Sequence, residues 1–114
     1  MAQQKIIGLF FGSFNPIHLG HLIIGNILVE TTDINNVWFV VSPQNPLKPS
    51  IGLLHEFDRY DMVRAAIYDN AKLEVSDVEF NLPKPSYTIH TLVYLSEKYP
   101  DKINVFTQSY PPDV

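Results

Sequence analysis

The stretch GLFFGSFNPIHLGHLIIGNI, residues 8–27, decides how the rest of the chain is read. It begins as a hydrophobic strand, breaks at Gly12-Ser13-Phe14-Asn15-Pro16, and resumes as an apolar helix. The chain has four histidines, and two of them, His18 and His21, stand where that helix begins. A helix start presents unpaired N–H groups and the positive end of the helix dipole, so the turn is an anion site before any side chain is added. Gly12 and Ser13 allow close backbone approach, and Pro16 stiffens the loop. Gly20, between the histidines, leaves space for a ligand.

Three-residue spacing on a helical turn brings both imidazoles to one side. Together they can grip a polyphosphate and stabilise the charge that grows as a phosphorus–oxygen bond breaks. One well-placed donor of this kind is worth roughly a hundred- to a thousandfold in rate. As a metal pair, His18 and His21 lack a third ligand such as the spaced glutamate of a zinc protease. As capping residues alone they leave the glycine and proline pattern unexplained. Neither G-x-G-x-x-G nor a terminal G-K-S/T is present.

Outward from this turn, the pattern alternates strand and helix. Residues 5–11 (KIIGLFF) form a nearly continuous apolar run, as in a parallel strand covered on both faces. A helix is predicted from residue 18 or 19 to 30, apolar enough to be largely buried. Residues 37–41 (VWFVV) predict a second strand, ended by the loop that holds Pro43, Pro46 and Pro49. A second helix is predicted over residues 55–69, with Phe57, Tyr60, Val63 and Ile67 at helical spacing. Residues 72–75 predict a third strand and 77–85 a loop. Ser86 suits the cap of a third helix reaching residue 99, with Ile89, Leu92 and Val93 inward. Residues 103–106 (INVF) predict a fourth strand. The expected fold is α/β, a doubly wound parallel sheet of Rossmann-like type in strand order 3-2-1-4, with ligands at the carboxyl ends of strands 1 and 4.

The chain of 114 residues is read as a single domain, residues 1–114, with 46% hydrophobic and 18% charged residues. Nothing approaches a bilayer span or the apolar core of a signal peptide, so no membrane association and a cytoplasmic location are expected. The absence of cysteine excludes a disulfide framework and a thiol nucleophile. A net charge of −4 with scattered basic residues argues against a DNA or RNA backbone partner. Residues 107–114 (TQSYPPDV) are an atypical tail. They are compatible with a small four-stranded domain, but the expectation is the first part of a larger one. A fourth strand left as an exposed edge makes a homo-oligomer possible.

The segment GSFNPIHLGH resembles the H-x-G-H signature turn of the nucleotidyltransferase superfamily. VWFVVSPQNPLKP, DRYDMVRAAI and LPKPSYTIHTLVYLSEKYPD are similar to successive segments of bacterial nicotinate-nucleotide adenylyltransferases. That resemblance implies adenylyl transfer from ATP to nicotinate mononucleotide, giving nicotinate adenine dinucleotide and pyrophosphate on the way to NAD, with Mg²⁺ carried by ATP. It implies that His18 and His21 are catalytic and bind phosphates, that Gly12, Ser13, Phe14 and Gly20 line the ATP and phosphate site, and that Lys48 reaches the phosphates. Ser42, Tyr87 and Thr88 would receive the acceptor, and no protein-held metal is implied.

Asn15 stands where the family commonly has aspartate, Ser42 where asparagine is common, and His90 where aspartate is common. The family's later G-x-D and I-S-S/T-x-x-R segments are not in this sequence. The alternatives are a related nucleotidyltransferase with another phosphorylated acceptor, such as a glycerol-3-phosphate cytidylyltransferase or a phosphopantetheine adenylyltransferase, and a non-catalytic phosphate-binding domain. Trp38 is expected in the core, Arg59 and Arg64 on a helix surface, and His55 and His90 in structural roles.

Overall fold

Four parallel strands form one sheet in the order β3-β2-β1-β4, in a computed structural model that describes residues 5–43, 52–82 and 88–108. The elements run β1 (Lys5–Gly12), α1 (Leu19–Thr31), β2 (Asn36–Val41), α2 (Glu56–Ala66), β3 (Leu73–Ser76), a short 3-10 helix (Val78–Asn81), α3 (Thr88–Lys98) and β4 (Lys102–Gln108). The expected α/β class and strand order are those observed. β1 sits between β2 and β4, with Phe10 opposite Phe39 on one side and Thr107 on the other.

Because side chains alternate along a strand, the apolar runs of β1 and β2 feed two separate cores. Phe10, Val37, Phe39 and Val41 pack with Val63 and Ile67 beneath α1 and α2. Ile7, Leu9, Phe11 and Val40 pack with Val78 and Leu95 on the opposite face. Trp38 is half-buried on that second face, its ring edge-on to Tyr99 at 5.3 Å. The expectation of a core position is met in part, since the ring packs against the second core and stays half-buried.

Helix α1 is not largely buried, contrary to its apolar composition. Its buried residues are His21 and Gly25, while Leu19, Ile23, Ile24 and Ile27 are exposed. His21 and Gly25, four apart, rest directly on the sheet, Leu22, Leu28 and Val29 pack half-buried against the first core, and the opposite side of the helix faces away. Gly25 makes that approach close, since a Cβ there would lie 3.0 Å from Cζ of Phe39.

Helix α3 is also rotated relative to expectation. Thr91 and Leu95 are buried and Leu92 packs half-buried against the second core as expected, whereas Ile89 and Val93 are exposed. The reason lies in the predicted loop before it, which contains the 3-10 helix. Glu79, on that short helix, is buried and accepts a 2.6 Å hydrogen bond from the Thr91 hydroxyl. That polar tie, with Leu95 one turn on, selects the face that α3 presents to the sheet. β4 runs on to Gln108, so residues 107 and 108, expected in the tail, belong to the sheet, and the Ser86 cap and residues 109–114 lie outside the described residues.

Candidate functional site

β1 ends at Gly12, directly beside Val41 at the end of β2. The turn from residue 13 to residue 18 therefore lies at the carboxyl edge of the sheet, where β1 is flanked by β2 and β4. This is the switch point at which open parallel sheets take ligands. Within the turn Phe14 adopts φ 49°, a left-handed backbone that costs an L-residue about 1–2 kcal/mol. Its ring is fully buried and stands edge-on to Phe10, Phe39 and His21, with centroids 5.6, 5.4 and 5.0 Å away. Aromatic burial of this size outweighs the backbone cost. Phe14 is thus a pillar under the turn, and what it can offer a ligand is backbone.

The two histidines form a reciprocal cap. His18 is the N-cap of α1, and its Nδ1 accepts from the Gly20 N–H at 3.0 Å. His21 Nδ1 accepts from the His18 N–H at 3.1 Å. The rings stack with centroids 3.8 Å apart and planes 26° apart. A nitrogen that accepts a hydrogen bond carries no proton, so each neutral ring keeps its proton on Nε2, which becomes a donor. Capping and ligand binding are therefore not rivals for these residues: capping occupies Nδ1 and leaves Nε2.

His21 is buried, and burial first, then the charge of His18, pushes its pKa below the ordinary imidazole value. His18, by contrast, is exposed. Gly20 has a tighter reason than room for a ligand. A Cβ on residue 20 would lie 2.8 Å from Cε1 and 3.0 Å from Nδ1 of His18.

Arg59 corrects the expectation of a surface charge. It is fully buried, and its guanidinium donates to Ser13 O at 2.8 Å, Ser42 O at 2.7 Å and Leu54 O at 2.8 Å. Asn15 adds a second tie, donating from Nδ2 to Gly52 O at 2.6 Å and accepting from the Leu54 N–H at 2.8 Å. An aspartate at that position could accept from Leu54 but could not donate to Gly52, which gives the Asn15 departure a physical reason. The Ser42 N–H closes the cluster by donating to Gly12 O at 2.9 Å.

Gly12, Ser13, Phe14, His18, Gly20, His21 and Ser42 thus gather at one edge. Lys48 and Tyr87 lie outside the described residues. Thr88 opens α3, which runs back along the sheet from the carboxyl edge toward the start of β4. His55 caps α2 through the Phe57 N–H, as a structural residue would. His90 is exposed on α3. Among the described residues no three His, Cys, Asp or Glu side chains converge as a metal site, and no helix is long and apolar enough to cross a membrane. A groove of about 230 Å³ on the α3 face is lined by Trp38, Glu74, Ser76, Tyr94 and Lys98 among others, and by none of the turn residues.

Arg59 is the site residue that sequence reasoning missed. Its one available signal is its place on α2, four residues before the core residue Val63 and thus on the same side of the helix.

Comparison with known proteins bears on this geometry. A family model described as cytidylyltransferase-like matches residues 9–111. A probable nicotinate-nucleotide adenylyltransferase of Cytophaga hutchinsonii is 70% identical over 94 residues, covering 82% of this chain and 49% of that protein. Its counterpart in Bacteroides fragilis is 48% identical over 102 residues, covering 90% and 50%. Among solved structures, Plasmodium falciparum nicotinic acid mononucleotide adenylyltransferase complexed with NaAD matches with a TM-score of 0.72 at 21% identity, covering 90% of this chain and 50% of that one. The chain spans about half the length of the curated relatives it matches.

Proposed function

The chain belongs to the cytidylyltransferase-like family, and from that premise we propose that it serves adenylyl transfer from ATP to nicotinate mononucleotide, a step of NAD biosynthesis. An oxygen of the acceptor phosphate attacks the α-phosphorus of ATP. The bond from that phosphorus to the bridging oxygen breaks, and pyrophosphate leaves with the electron pair. Catalysis of this kind is positioning and electrostatics, with no covalent enzyme intermediate.

The observation that carries the reading is the locked histidine pair. With both Nδ1 atoms accepting from backbone, His18 and His21 present Nε2 donors at the start of α1, where the helix dipole already favours anions. His21, whose pKa burial and His18 lower, leaves its Nε2 free to donate. In this reading Gly12, Ser13, Gly20 and the backbone of Phe14 line the triphosphate, and Lys48 reaches its phosphates. Ser42, Tyr87 and Thr88 receive the acceptor. Mg²⁺ travels with the triphosphate and offsets its charge. The relatives' names support the choice of nicotinate mononucleotide and ATP.

The test is pyrophosphate release by the chain supplied with Mg²⁺, ATP and nicotinate mononucleotide, beside the same chain carrying His21→Ala. Release with ATP and not CTP, lost in the variant, is the expected result. Triphosphate binding with no release would instead favour a phosphate-binding domain without catalysis. Absence of binding would sink the site.

A further inference from the structure

Arg59 joins three of the stretches that frame the site. We propose that Arg59 is a positioning residue, whose guanidinium sets the Gly12–Pro16 turn against the loops after β2 and before α2 and so holds the histidine pair in its ligand-ready arrangement. Its three carbonyl partners come from three separate stretches of chain. Ser13 belongs to the turn after β1, Ser42 to the loop after β2, and Leu54 to the approach to α2. Both neighbouring ties, Ser42 N–H to Gly12 O and Leu54 N–H to Asn15 Oδ1, join the same three stretches.

A planar fork with fixed donor directions suits three carbonyls at once, and a lysine ammonium does not supply that geometry. The guanidinium remains charged even when burial lowers its pKa, with Glu56 opposing the shift. It therefore also places a fixed positive charge within hydrogen-bonding reach of the anion-binding turn. The positioning itself can be read without any ligand. Only its consequence for affinity rests on the proposed phosphate site.

The experiment compares the whole chain with Arg59→Lys and Arg59→Met, the second keeping an apolar stem without a buried charge. Amide hydrogen exchange is measured in the absence of ligand. The expected result is exchange at Ser42 and Leu54 faster by about tenfold or more, with the Phe39 amide in the sheet changed far less. Affinity for inorganic tripolyphosphate is expected to fall about tenfold in both variants. Ser42 and Leu54 amides that exchange as in the unaltered chain, or acceleration equal at Phe39 and Leu54, would overturn the proposal, because Arg59 would then hold neither loop specifically.

A measurement on the unaltered chain keeps the test decisive if neither variant folds. The Arg59 Nε–H signal is expected to exchange slowly beside that of Arg64 on the same helix. Equal, fast exchange of the two would overturn the buried, bonded guanidinium on which the hold depends, since Nε carries the bond to Leu54 O. Failure of tripolyphosphate to bind the unaltered chain would strike the proposed function and leave these ligand-free readouts intact.

Discussion

The Phe14 ring stands edge-on to the His21 ring, 5.0 Å between centroids at 80°, while the Phe14 backbone is held in the left-handed region at φ 49°. One residue therefore both supports the second histidine from the core and bends the chain that carries the first. Phe14→Ala removes a fully buried aromatic and is expected to cost about 3–5 kcal/mol in denaturant unfolding. Phe14→Gly is expected to be no worse than Ala, reversing the usual order, because glycine takes positive φ freely. A Gly variant clearly less stable than the Ala variant would contradict the strained-turn account.

The depressed pKa of His21 has a definite sign in stability. Between the native value and the ordinary value near 6.5, the unfolded chain binds more protons than the native one. Stability from this residue is thus complete above the ordinary value and is lost as pH falls through the native one. Ring-carbon chemical shifts followed against pH should place the His21 midpoint below 6.5. His21→Gln should remove that part of the acid slope in thermal unfolding.

Gly20→Ala tests the reason for the glycine in the H-x-G-H turn. The new Cβ overlaps the His18 ring, and because His18 is exposed, its ring can swing away. The lost cap costs about 0.5–2 kcal/mol and the gain in helix propensity returns about 1 kcal/mol, so stability changes little. Triphosphate affinity, measured calorimetrically, should fall roughly tenfold, as for one charged-group hydrogen bond. Unchanged affinity would mean that the orientation of the His18 ring is irrelevant to binding.

Glu79 gives the opposite pH sign to His21. Burial raises its pKa, and the hydrogen bond from Thr91 opposes the shift more weakly. Between the ordinary glutamate value and the raised one, the native state binds more protons than the unfolded state. The contribution is complete below the ordinary value and is lost as pH rises through the native one. Glu79→Gln keeps an acceptor for Thr91 and should be more stable than the unaltered chain at pH 7, with the two converging in acid. Thr91→Val should destabilise by about 1–3 kcal/mol, by leaving a buried carboxyl without its donor.

Much of the architecture is legible in the chain because it rests on local or periodic signals. The apolar runs of β1 and β2, the break at Gly12–Pro16 and the spacing of His18 and His21 are contiguous in sequence. Alternation of strand and helix then leaves little freedom in topology, and the observed order β3-β2-β1-β4 follows. The orientations of α1 and α3 are less legible. Both helices are apolar on more than one side, so periodicity does not choose the face that meets the sheet. Gly25 against Phe39 chooses it in α1, and Thr91 against Glu79 in α3.

The sequence by itself determined the fold class, the position of the turn after β1 and the histidine pair at its helix start. Each follows from side-chain chemistry over a few neighbouring residues. Only the tertiary structure decided that both imidazoles accept backbone hydrogen bonds through Nδ1, that Phe14 is a buried pillar, and that Arg59 ties the turn to two distant loops. Those relations join residues as far apart as Ser13 and Arg59, 46 positions along the chain. A long basic side chain on a helix carries no local mark of whether it will end in water or against three carbonyls. Burial settles that, and burial is a property of the packed chain.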